Sequence, residues 1–302
     1  MNGVTSQWPV SDGPSLESTN PVHVSQYLPI FKHPGFALEM LERLATSWLL
    51  MVVLWASSGA ALRAQPTPPI PTIAAAADLK FAIEELADQF ERETGHRLRL
   101  VFGSSGTFYS QILQGAPFHL YMSADEAFVF KLADARRTTD RGRLYARGRI
   151  GIMVPAGSPL LADGDLKDLA RALKDGRLQK FAIANPEHAP YGKRSEEALR
   201  HVGLWGGIQP HLVMGENIAQ AAQFATSGSA QGGIIALSLA KAPAVAKLGK
   251  FALIPEALHQ PLMQRMVLLK GAPPPARAFY DYLSTAPARA ILVRYGFALP
   301  GD

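Results

Sequence analysis

Four short segments of this chain each end an apolar stretch in small or hydroxylated residues and run straight into a helical pattern. They are Ala74-Ala75-Ala76-Ala77-Asp78-Leu79, Phe102-Gly103-Ser104-Ser105-Gly106-Thr107, Asn185-Pro186-Glu187-His188-Ala189-Pro190-Tyr191-Gly192 and Gly215-Glu216-Asn217-Ile218-Ala219. Strand-to-helix junctions repeated in this way constrain the chain to an alternating α/β fold. Each helix start also presents unpaired backbone N–H groups and the positive end of a dipole. Several such ends aimed at one point hold an oxyanion without a lysine or an arginine, which is the chemistry of binding rather than of catalysis.

The patterning between the junctions agrees. Leu79, Ala82, Ile83, Leu86 and Phe90 recur at helical spacing, and Gly95 stops the helix. Leu98, Leu100 and Phe102 alternate as a strand, after which Ser104 to Gly106 open a helix running through Gln114. Residues 120–123 read as a strand, and Ala124-Asp125 begin the next helix. A second series places strands at 150–155, 181–184 and 233–236, and helices at 194–202 and 218–226. A strand at 265–270 and two helices after Pro273-Pro274-Pro275 close the chain. This alternation predicts parallel α/β sheets, whose ligand crevice lies beyond the carboxyl ends of the strands, where all four junctions fall.

A chain of 302 residues has room for two domains, and its 48% apolar and 18% charged content is that of a globular protein. Absence of cysteine excludes disulfides, thiolate metal sites and a lipid-anchored cysteine. Residues 40–64 read as a secretory signal peptide: a basic start at Met40-Leu41-Glu42-Arg43, an apolar run over 44–56 and a small-residue exit. Cleavage is placed after Ala64, with Ala60 and Ala61 as alternatives. Residues 1–39, rich in Ser, Pro, Asn and Gly, read as a disordered extension or as the product of a misassigned start, translation then beginning at Met40.

The net charge of +5 is mild and suits attraction of an anion. Arg136, Arg137, Arg141, Arg143, Arg147 and Arg149 carry no interleaved aromatics beyond Tyr145 and no groove-reading motif, so they read as a solvated face and no nucleic-acid partner is expected. Gly103-Ser104-Ser105-Gly106-Thr107 lacks the lysine of a nucleotide-binding loop and the spacing of a nucleophile elbow. His119, His188 and His211 have no local context that marks a base, no metal-ligand spacing occurs, and Glu84-Glu85 and Glu196-Glu197 read as solvated pairs. No catalytic residue is assigned.

Together with Gly115-Ala116-Pro117, Ser123-Ala124-Asp125 and the closing Arg294-Tyr295-Gly296-Phe297, the four junctions resemble the periplasmic molybdate-binding proteins of ABC transporters over nearly all of residues 70–300. The resemblance implies a two-lobed clamp of the periplasmic-binding-protein type (type II). Each lobe is a mainly parallel sheet flanked by helices, and the ligand lies in the cleft between them. Lobe one would hold 66–149 plus 254–302 and lobe two 150–253. It implies a non-enzymatic monomer that captures molybdate or tungstate and passes it to a membrane permease. No cofactor is implied, and no metal except the molybdenum of the bound oxyanion. Sulfate or phosphate is the alternative ligand, and an enzyme on the same fold the remaining one.

Carried over position by position, the ligand contacts fall on Asp78, Ser105, Tyr191, Ile218 and Ala236. Many family members have a serine at or beside position 78. An ionised Asp78 cannot donate from its side chain and would repel an anion. Two readings follow: a helix N-cap with the carboxylate turned to its own helix, the favoured one, or a ligand-facing carboxylate. Ala236 replaces a tyrosine of some members, with Tyr191 or Ser238 as compensating donors. Ser105 reads as a ligand contact or as an ordinary helix cap, two roles that are compatible, and Ile218 is expected to offer only its amide. Discrimination against the smaller sulfate would rest on cavity size.

Overall fold

In a computed structural model the described residues are 69–301, so the signal-peptide and extension readings of 1–64 lie outside them. Among the described residues ten strands form two five-stranded sheets. The first contains β1 (Thr72–Ala76), β2 (Arg99–Gly103), β3 (Leu120–Ser123), β4 (Arg143–Gly148) and β10 (Leu262–Leu268), in the order β2-β1-β3-β10-β4. The second contains β5 (Ile150–Pro155), β6 (Phe181–Ala184), β7 (Leu212–Gly215), β8 (Gly233–Ala236) and β9 (Gly249–Leu253), in the order β7-β6-β8-β5-β9.

Both sheets are mixed, and in the same way. In the first, β2, β1 and β3 run parallel while β10 pairs antiparallel with β3 and β4. In the second, β7, β6 and β8 run parallel and β5 is antiparallel to β8 and β9. The chain passes from one sheet to the other through the single residue Arg149 and returns between β9 and β10. Every junction recognised in the sequence follows a parallel strand at its carboxyl end: β1, β2, β6 and β7.

Alternation along β1 explains its alanines. Ile73 and Ala75 face one apolar layer with Leu120, Met122, Met266 and Leu268, whereas Ala74 faces the other with Tyr121 and Val267. Small side chains at the strand end then let lobe one approach lobe two, since Ala76, Ala77 and Ala124 join the buried core of the second sheet. Several boundaries move. The helix expected from Arg194 starts at Pro190, because proline is suited to a first helical position, and this brings Tyr191 into the helix. The last strand starts at Leu262 rather than Arg265.

The arginine-rich stretch contains an unexpected strand, β4. Tyr145, Ala146 and Gly148 are its buried residues, and the arginines around them are tied down. Arg141 pairs with Asp134 at 2.7 Å, Arg149 with Glu256 at 3.0 Å, and Arg143 stacks over the Tyr280 ring. Among the described residues no helix is long and apolar enough to cross a membrane.

Candidate functional site

The first junction is a single 3-10 turn, Ala77–Leu79, set between β1 and the helix Lys80–Thr94. Because the turn begins one residue after the strand, Ala76 occupies the capping position and provides no side-chain cap. Asp78 is therefore not the helix cap expected of it. Its carboxylate leaves its own helix, 1% exposed, and Oδ2 accepts hydrogen bonds from Tyr191 Oη at 2.9 Å and Gln264 Nε2 at 2.7 Å. Ser238 donates to the Asp78 carbonyl at 2.7 Å, so Ser238 holds this turn rather than replacing the phenol absent at Ala236.

The second junction starts the helix Ser105–Leu113, and here too the cap is displaced by one residue. Ser104 is the cap, accepting from the Thr107 amide at 3.2 Å, and Ser105 is the first helical residue, fully buried. Ser105 Oγ accepts from the Ala124 amide at 2.9 Å, while its own hydrogen meets no acceptor among the described residues. Its carbonyl accepts from Tyr121 Oη at 2.7 Å. The result is a hydroxyl fixed in position with its donor function still available, above a first-turn amide that no helix carbonyl can reach.

Lobe two supplies the other two helix starts. Asn185 organises the third, accepting at Oδ1 from the Glu187 amide at 3.0 Å. Asn217 caps the helix Ile218–Thr226, its Oδ1 taking the amides of Ala219 at 3.0 Å and Gln220 at 3.1 Å. The Ile218 amide, at the first helical position, has no partner within the helix. Tyr191, Ile218 and Ala236 are all buried in one apolar group that also contains Ala77 and Ala124 of lobe one. The turn bearing Asp78 touches the helices that begin at Ile218 and Leu237. The five expected residues are thus gathered where the lobes meet.

Cross-lobe contacts hold this arrangement. The Gly106 amide donates to the His188 carbonyl at 2.9 Å, and a Cβ at Gly106 would stand 2.6 Å from that oxygen, so only glycine permits the approach. Ser104 Oγ lies 2.9 Å from His188 Nδ1, and Arg194 Nη2 lies 3.5 Å from Asp125.

Two participants were not anticipated. Gln264 is fully buried in β10, and its Nε2 also donates to Tyr191 Oη at 3.0 Å. Tyr145 of β4 donates to Gln264 Oε1 at 2.8 Å, which fixes which way the amide points. A polar residue inside the apolar run 262–268 was the available sign for Gln264; Tyr145 had none. Gly148 makes room for the group, since a Cβ there would meet Tyr191 Oη at 2.2 Å.

Burial without a counter-cation pushes the Asp78 carboxyl up to about 7, against the smaller opposing pull of its bonds from Gln264 and Tyr191. Burial, and then the charge of Asp78, raise the Tyr145 and Tyr191 phenols well above their usual range. Among the described residues no group of three or more His, Asp or Glu is placed to hold a metal ion.

The model of the bacterial extracellular solute-binding proteins matches residues 71–298. The molybdate-binding protein ModA of Azotobacter vinelandii is 35% identical over 230 residues, covering 75% of this chain and 89% of that protein. The Escherichia coli protein of the same name is 31% identical, covering 76% and 88%. The chain belongs to the bacterial extracellular solute-binding proteins, in the group of the molybdate-binding members. Among solved structures, the periplasmic molybdate-binding protein of A. vinelandii superposes with a TM-score of 0.69 at 29% identity, covering 76% of this chain and 99% of that one. The sulfate-binding protein SubI of Mycobacterium tuberculosis shares the fold alone, at 16% identity and a TM-score of 0.62.

Proposed function

We propose that this solute-binding protein captures molybdate or tungstate between its lobes in the periplasm, as a monomer, and delivers it to the membrane permease of an ABC transporter. Lobe one would be 66–149 plus 254–302 and lobe two 150–253, closing about the crossing at Arg149 and the return before β10. The observation that carries the reading is the Ser105 hydroxyl, held by Ala124 with its hydrogen uncommitted, beside helix starts whose first amides have no helical acceptor. Ser105 by its hydroxyl, and Ile218 and Tyr191 by their first-turn amides, are the donors of this reading, since the Tyr191 phenol is spent on Asp78; Asp78 borders them and Ala236 shapes the wall. Neutral dipoles of this kind hold an anion with a smaller desolvation penalty than a buried cation incurs. The oxyanion is cargo, not a cofactor.

Ser104, His188 and Glu216 fall in line, with His188 Nε2 3.5 Å from Glu216, and so resemble a hydrolase triad. The Ser104 hydroxyl already caps its helix and Glu216 is largely exposed, which supports a contact closing the cleft edge rather than catalysis. Neither an enzymatic activity nor a nucleic-acid partner belongs to this reading. Titration calorimetry with molybdate, tungstate and sulfate tests it: the first two should bind and sulfate should bind more weakly. Ser105→Ala should weaken molybdate binding by about 1.5–3 kcal/mol, the worth of a hydrogen bond to a charged group, without unfolding the protein. Saturation by sulfate or phosphate with no response to molybdate would overturn the assignment.

A further inference from the structure

Asp78 poses a problem that the binding of an anion makes worse. Its carboxylate is buried and has no cationic partner. Facing it are Tyr191, Tyr145 through Gln264, and Ser238. The helices Ile218–Thr226 and Leu237–Ala240, packed against its turn, contain no charged residue. On the remaining neighbouring elements the charges are engaged elsewhere. Arg265 of β10 binds Glu126, and Arg147 of β4 lies near Glu256. On the helix Pro190–His201, Lys193 and Arg200 bind Glu196, Arg194 binds Glu197, and His201 is exposed. Lys80, which follows Asp78, has its Nζ over the Phe81 ring. A dianion brought into this cleft would meet a like charge with nothing to offset it.

The hydrogen-bond directions show where a proton resolves the conflict. Tyr145 donates to Gln264 Oε1, and with the amide set that way round Nε2 faces Asp78. Gln264 Nε2 and Tyr191 Oη then both donate to Oδ2, which makes that oxygen an acceptor twice over. Asp78 Oδ1 is buried and has no hydrogen-bond partner. A buried polar atom left in this state either costs stability or serves a function. We propose that the cleft takes up its oxyanion together with one proton, carried on Asp78 Oδ1 and donated to the ligand.

Asp78 then supplies the side-chain donor that a serine supplies elsewhere, but only in its acid form, and Gln264 and Tyr145 are the positioning residues that keep the proton on Oδ1. The raised affinity of Asp78 for its proton, with a midpoint of about 7, agrees with this role. Capture becomes linked to pH: weaker where protons are scarce, with the proton released when the ligand leaves.

This inference rests on the oxyanion-binding reading, and molybdate is the probe because it remains a dianion through neutral and alkaline pH. Titration calorimetry in two non-anionic buffers of different ionisation enthalpy reads proton uptake directly in the unaltered protein. Uptake should approach one proton per molybdate above the Asp78 midpoint, and affinity should fall about tenfold per pH unit there. In Asp78→Asn an amide N–H replaces the acid O–H, so uptake should vanish and affinity should become flat with pH. Molybdate binding with no proton uptake and no pH dependence in the unaltered protein overturns the proposal while leaving the functional reading intact. Uptake that persists in Asp78→Asn and disappears in His188→Ala moves the proton to the cleft edge and overturns it as well. Failure of molybdate, tungstate and sulfate alike to bind at any pH sinks the functional reading and this inference with it.

Discussion

The lobes meet in two polar zones built on opposite terms. At the inner one, Asp78, Tyr191, Gln264 and Tyr145 are buried and joined by bonds of 2.7–3.0 Å, with one carboxyl and no cation. At the outer edge, Ser104 meets His188 and Arg194 meets Asp125, every charged member has a partner, and the Glu216 side chain is 78% exposed. At the outer edge water reaches and screens Glu216 and partly wets His188 and Asp125; it does not reach the inner zone, where a single misplaced proton matters. The inner zone is therefore suited to setting what the cleft accepts, and the outer one to trimming how firmly it closes.

If this contrast is correct, the largest effect belongs to the inner charge and appears without ligand. The Asp78 carboxyl has its folded midpoint raised from 3.8 to about 7. Below the lower value both folded and unfolded chains hold the proton; between the two only the folded chain does. The stability this group contributes is thus present at low pH and lost as pH rises through about 7, a span worth about 4 kcal/mol. Asp78→Asn removes the titration, so its stability relative to the unaltered protein should climb across that interval. Chemical denaturation at a series of pH values reads the difference, and a constant difference would show that the inner zone is not isolated from water.

Gln264→Leu is the next in size. It removes one donor to Asp78 and leaves the Tyr145 hydroxyl with only the longer bond to the Ser123 carbonyl, at 3.4 Å, while the apolar replacement fills the strand position. A loss of about 1.5–3 kcal/mol is expected, chiefly from the bond to a charged group, with the weakened bonding of the Tyr145 phenol adding to it. The loss should be greater above the Asp78 midpoint than below it, since the ionised carboxylate depends more on its donors. An equal loss at both ends of the pH range would mean that Gln264 acts by packing alone.

The inner zone is also where sequence reading fell short, for a physical reason. Junctions such as Asn217 with Ile218, or Ser104 with Ser105, are stabilised by bonds between residues two or three apart, and local spacing reveals them. Even there the cap fell one residue from its expected place, on Ser104 rather than Ser105. Gln264 and Asp78 are 186 residues apart, and Tyr145 and Gln264 119, so no window of sequence contains the pair. β4 was hidden similarly, because Arg143 and Arg147 interrupt its apolar residues and a register shift opposite Gln264 and Arg265 breaks its alternation at Tyr145. The alternation of strands and helices, by contrast, is written in apolar periodicity and was legible for most elements, although the helix Lys167–Lys174 and β9 were not read from it.

The smallest effect is expected at the outer edge. His188→Ala removes the contact with Ser104 and the approach to Glu216, but it keeps the backbone carbonyl that accepts from the Gly106 amide. Ser104 retains its capping bond to Thr107, so the helix start and the Ser105 hydroxyl should stay in place. The loss to ligand binding should be about 0.5–1.5 kcal/mol, the net worth of one side-chain hydrogen bond. It should appear chiefly as faster release, because the contact joins the lobes only when they are together. Stopped-flow dissociation of molybdate measures it. A loss as large as that of Ser105→Ala would place His188 among the groups that hold the ligand, and the division between an inner zone that selects and an outer one that closes would have to be given up.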